Sequence, residues 1–121
     1  MPVKPDLQRF PNSVGDGATN VEHQDLTDGH LLTHITLGYD ATSNKPPVRA
    51  FAGLENESGE HANLVGGWIR STSIPTHDRD PTWDGRITIP AGATLRFVAE
   101  NLTGSAQEVW CYYTTEPRRV A

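Results

Sequence analysis

Alternation of apolar and polar positions is clearest in the last third of the chain. Between Thr94 and Glu100, Leu95, Phe97 and Ala99 fall on one side while Thr94, Arg96 and Glu100 fall on the other. This period of two predicts a half-buried strand. The turn clusters Pro90-Ala91-Gly92 and Asn101–Ser105 separate it from β-rich runs at 86–89 and 107–115, and links this short predict an antiparallel meander. The run at 107–115 is apolar on both sides. Cys111 shares a face with Val109 and Tyr113, and Trp110 shares the other with Tyr112. Such a strand is either central or meets a partner on its second side.

The same reading applies further upstream. From His30 to Tyr39, Leu31, Thr33, Ile35 and Leu37 alternate with Leu32, His34 and Thr36. Asp40–Pro47 reads as a loop, because its paired prolines cannot donate to a ladder. Strands are predicted at 48–54 and at 63–74, where Gly66-Gly67 suggests a bulge and Trp68, sharing its side with Leu64, is expected to pack inward. No segment carries an apolar stripe of helical period. Six strands with turn signals between them predict an all-β, antiparallel, jelly-roll-like sandwich over residues 30–121.

Residues 1–29 lack such a pattern. Pro2, Pro5, Pro11, Gly15, Gly17 and Gly29 interrupt them, and the apolar positions Val3, Leu7, Phe10, Val14, Val21 and Leu26 are isolated. They read as an extended N-terminal arm, either disordered or laid on a neighbouring surface. On the second reading Val3, Leu7, Phe10 and Val14 are partner-binding residues. Deletion of residues 2–26 is then expected to leave folding intact.

Composition changes the picture in three places. A chain of 121 residues fits one domain. The net charge of −5 is concentrated in residues 1–60, with nine acidic and four basic side chains, which argues against nucleic acid as a partner. Of the ten basic residues eight are Arg; this fits either an Arg-rich interface or a GC-rich genome. The start has no apolar signal-peptide core and no run has membrane-spanning length, so a cytoplasmic origin and no membrane partner are expected. The sequons at Asn56 and Asn101 then read as chance matches.

Chemistry is sparse. His30 and His34 have a spacing that chelates metal on a helix, but on a strand they lie about 13 Å apart, too far to share an ion. The stretch His77–Gly85 departs from a calcium loop of the EF type, with Trp83 where Gly is required. Cys111 sits mid-strand and is expected to be a buried, inert thiol. No nucleophile elbow or phosphate loop is present. No enzyme activity and no cofactor are implied. Trp83, Trp110 and Tyr112 remain as aromatic candidates for an interface.

An acidic single-domain sandwich behind an arm, with the stretch Ile87-Thr-Ile-Pro-Ala-Gly-Ala-Thr-Leu-Arg-Phe-Val-Ala-Glu-Asn101 forming a strand–turn–strand unit, resembles the decoration (cement) proteins of tailed-phage capsids. That resemblance implies a structural role on the virion surface, a homotrimeric body, and the major capsid protein as partner of the arm. The alternative from the residues is a carbohydrate-binding sandwich module using Trp83 and its neighbours.

Overall fold

Eight strands pair as one long antiparallel hairpin rolled up on itself. They are β1 (Leu7–Val14), β2 (Thr19–Asp25), β3 (Leu31–Tyr39), β4 (Val48–Glu55), β5 (His61–Ile69), β6 (Thr82–Thr88), β7 (Thr94–Asn101) and β8 (Gln107–Glu116). In the computed structural model, β1 pairs with β8, β2 with β7, β3 with β6 and β4 with β5. Further pairing of β3 with β8 and of β4 with β7 gives two four-stranded sheets, β1-β8-β3-β6 and β2-β7-β4-β5. This order is that of a jelly roll. The structure describes residues 7–39, 48–69, 81–102 and 106–117; Val3 lies outside them.

The inner faces explain the arrangement. Phe97, Leu95, Ile35, Leu37, Val48, Ile69 and Val109 are fully buried between the sheets. Each comes from a β-branched, aromatic or leucine position on an alternating strand, which is the pattern a sheet needs to cover one face. Residues 7–25 correct the arm reading. Phe10 and Val14 are buried core residues, and the Phe10 ring packs edge-on to Phe97 at 5.4 Å and to Tyr113 at 6.0 Å. Phe10, Asn12 and Val14 already alternate inward. Pro11 obscured this, yet β1 is an edge strand, the place in a sheet where proline is tolerated because alternate N–H groups face away from the ladder.

β1 and β2 also close one flank of the sandwich with polar groups. Asn12 is fully buried; its amide donates to the Asn20 carbonyl at 2.9 Å and the Phe97 carbonyl at 3.3 Å, and its own oxygen accepts from the Asn20 amide at 2.6 Å. Asn101, also fully buried, donates to the Val14 carbonyl at 3.0 Å. This leaves the sequon at that position inaccessible.

Two bulges reset the side of the residues around them. In β3 the register shifts between Leu32 and His34, so Leu32, Ile35 and Leu37 point inward together; the sequence had put Leu32 opposite the other two. In β5 the shift beside Gly53 turns Val65 and Ile69 inward. Trp68 is therefore 45% exposed on the outer face, not packed in the core as its neighbourhood with Leu64 suggested.

Candidate functional site

Among the described residues the space between the sheets is filled by the core side chains, and the candidate site is on the outside. On the outer face of the first sheet, Leu7, Arg9 and Pro11 of β1 stand opposite Thr114, Tyr112 and Trp110 of β8. The Arg9 guanidinium lies 4.5 Å from the centre of the Trp110 ring, a cation–π contact. Leu7 is 61% exposed, and Trp110 and Tyr112 are half-buried. Among the described residues no carboxylate pairs with Arg9.

Beyond Tyr112 the same face becomes polar. Thr36 pairs with Tyr112 on one side and with Thr82 on the other. His34 Nδ1 is 2.6 Å from Asp84 Oδ1, and His34 Nε2 is 2.6 Å from the Thr36 hydroxyl. An Asp–His–hydroxyl line is the skeleton of a nucleophilic triad. Here the hydroxyl belongs to Thr36, a buried residue within β3. The line ties β3 to β6.

The outer face of the second sheet carries its own Arg–Trp arrangement. Arg49 lies 5.4 Å from the Trp68 ring and 5.7 Å from the Phe51 ring, and its guanidinium meets Glu100 at 3.1 Å. Val21, Val98, Phe51 and Gly66 form one rung across all four strands. Gly66 is required there: a Cβ would stand 2.1 Å from the Phe51 ring, so the ring covers the glycine. Val21 at the end of the rung is 40% exposed.

The sequence-predicted partner residues thus separate. Leu7, Trp110 and Tyr112 come together on the first sheet. Phe10 and Val14 are core, which removes them as docking residues. Trp83 packs half-buried against the core, and its indole lies over Gly85; it offers no open platform. Arg9, Arg49 and Trp68 were missed. For Arg9 the available signal was its parity with Leu7 and Pro11, opposite to that of Phe10. Cys111 is fully buried, and burial pushes its thiol pKa well up. Among the described residues no group of three or more His, Cys, Asp or Glu could hold a metal ion, and no helix is long and apolar enough to cross a membrane.

No protein-family model matches the chain, and no curated protein matches it. Among solved structures it is similar to a chain in the structure of infectious bursal disease virus Gx strain, at 12% identity and a TM-score of 0.26. The match covers 89% of this chain and 32% of that one, so this chain spans about a third of its length. Likeness at that level carries no functional argument.

Proposed function

We propose that the protein is a structural virion component, a decoration protein that sits on a capsid. On this reading it binds the major capsid protein through one outer face and copies of itself, as a homotrimer, through the other. The observation that supports this is the presence on each outer face of a Trp with a guanidinium over its ring, Trp68 exposed and Trp110 half-buried. Arg and Trp are the types that dominate interface hot spots, and a body bearing them on two opposite sides suits a piece placed between neighbours. Jelly rolls serve both capsids and lectins, so the fold leaves the choice open. The sugar-binding reading is less well served, because a guanidinium already lies over both outer-face indoles, Trp68 and Trp110.

The test is addition of the purified protein to capsids that lack it. It should co-sediment to a saturating ratio and raise the temperature at which the particles rupture. Trp68→Ala should weaken that binding by about tenfold or more, the scale of an interface hot spot. A protein that leaves capsids untouched but shifts its Trp fluorescence on titration with oligosaccharides would overturn the proposal.

A further inference from the structure

Arg9, which has no carboxylate partner among the described residues, and the acidic end of the sandwich are complementary. Three connections meet at that end. Gly29 donates to the Ile89 carbonyl at 3.0 Å and Ile89 to the His30 carbonyl at 2.8 Å, joining the β2–β3 link to the β6–β7 turn. Glu57 packs its carboxyl against Gly92, joining the β4–β5 turn to the same place. These loops, 26–30, 56–60 and 89–93, contain no Lys or Arg, and they contribute Asp28, Glu57 and Glu60. Asp25 and Glu55 end the strands beside them; Glu55 is taken by His23 at 2.7 Å. Asn56 shapes the turn, accepting from the Ser58 and Glu60 amides at 3.0 Å each, so Glu60 is held on a fixed backbone.

We infer that self-association runs head to tail, with the acidic end of one copy seated on the Leu7–Arg9–Trp110–Tyr112 face of the next. This rests on the reading that the protein binds copies of itself. Arg9 supplies guanidinium donors whose ring-facing side is already desolvated by Trp110, a pre-organised carboxylate receptor. The surrounding Leu7, Pro11 and Tyr112 supply the apolar contact that excludes water from the pair. The two surfaces are different parts of the molecule, one a sheet face and one a loop end. A contact between them is heterologous, and it gives a closed ring when the rotation closes. The edges at β1 and β2 are less suited to pairing with a second copy: that of β1 carries Pro11, and the Asn20 carbonyl of β2 is taken by Asn12.

The experiment is light scattering on the intact chain at several concentrations and salt levels. The wild type should exceed the monomer mass and dissociate as salt rises. Arg9→Glu alone, and Asp28→Arg with Glu60→Arg, should each weaken association by about tenfold or more, as loss of an interfacial charge pair does. All three changes in one chain should restore it, with thermal melting showing that each variant folds. Association by the wild type that neither charge reversal weakens places the contact elsewhere and overturns the inference while leaving self-association standing. A wild type that stays monomeric at every concentration overturns both.

Discussion

The two outer faces of the sandwich are built from the same parts and finished differently. Each sets an Arg over a Trp on neighbouring strands, Arg9 with Trp110 and Arg49 with Trp68. On the second sheet Glu100 neutralises the Arg at 3.1 Å and Phe51 covers its other flank. On the first sheet Arg9 has the ring alone among the described residues. A compensated Arg is part of its own fold; an uncompensated one on an apolar patch retains donors for another molecule. The arrangement that looks duplicated therefore divides into a neutral platform and a receptor for negative charge.

The most drastic way to break this comparison is to remove the strand that carries one face. Deleting residues 2–26 takes away β1 and β2, an edge strand from each sheet. The truncated chain should show no cooperative thermal transition, contrary to what an arm would give. A milder form is Phe10→Ala, whose side chain contacts Phe97 and Tyr113 in the core. It should cost about 3–5 kcal/mol by denaturant titration. Arg9→Ala, one residue away on the opposite side, should cost under about 1 kcal/mol. Equal losses at the two positions would show that β1 is not seated as described.

Next in size is the seam that holds the two edge strands together. Asn12→Ala leaves the Asn20 amide and carbonyl and the Phe97 carbonyl without this partner. Buried groups left unpaired in this way cost about 1–3 kcal/mol. Hydrogen exchange should quicken in both β1 and β2, since the seam belongs to both faces; quickening confined to β1 would mean that the strands are held independently.

What could be read from the sequence follows from how regular each strand is. The runs at 31–39, 48–54, 94–100 and 107–115 are rich in β-forming residues between clear turn signals and coincide closely with β3, β4, β7 and β8. β1 and β2 were unreadable for a physical reason: an edge strand of a jelly roll buries one side only, and its polar inward residues, Asn12 and Asn20, are satisfied by partners far along the chain or across the seam. Pattern reading sees polar residues and a proline and infers a tail. Trp68 was misplaced by one bulge, because a single extra residue inverts which side faces the core. Of the candidate surface, the aromatic half on β8 was legible from its two-sided run. The half on β1 was not, since Arg9 becomes meaningful only when Trp110 is opposite to it.

Between the faces lies a core with two ionisable groups, Cys111 and Tyr113, whose protonated forms burial favours. Burial raises the thiol pKa of Cys111. Tyr113 is raised by burial first, then by the neighbouring Cys111, with a hydrogen bond to Gln24 pulling the other way. A raised pKa in the folded state means that the unfolded chain loses its proton first as pH rises. Stability from this source is full below the unfolded thiol value of about 8.5 and declines above it by up to about 1.4 kcal/mol per pH unit for one group. Cys111→Ala should shift the onset of this loss toward the tyrosine range near pH 10, measured by melting temperature against pH. An onset that does not move would assign the alkaline loss to other groups.

The smallest expected effect is the one that bears most directly on the two faces. Arg49→Ala removes a guanidinium from two rings and from Glu100, and should lower stability by about 1 kcal/mol. Arg9→Ala removes one stacking contact at an exposed edge strand, and should cost about half as much. Self-association should rank the other way, weakened by Arg9→Ala and indifferent to Arg49→Ala, since Arg49 already has its carboxylate. Glu100→Gln sharpens the contrast by leaving Arg49 as uncompensated as Arg9. If compensation by Glu100 is what separates the faces, this variant should gain salt-sensitive self-association through the second sheet, where Arg49 would then attract the acidic end. Light scattering at low and high salt on the Glu100→Gln protein, alone and with Arg9→Ala, reads this out. A Glu100→Gln chain that associates no more than the wild type would mean that the apolar setting around Arg9, with Leu7 and Pro11 beside it, distinguishes the two faces and not the charge.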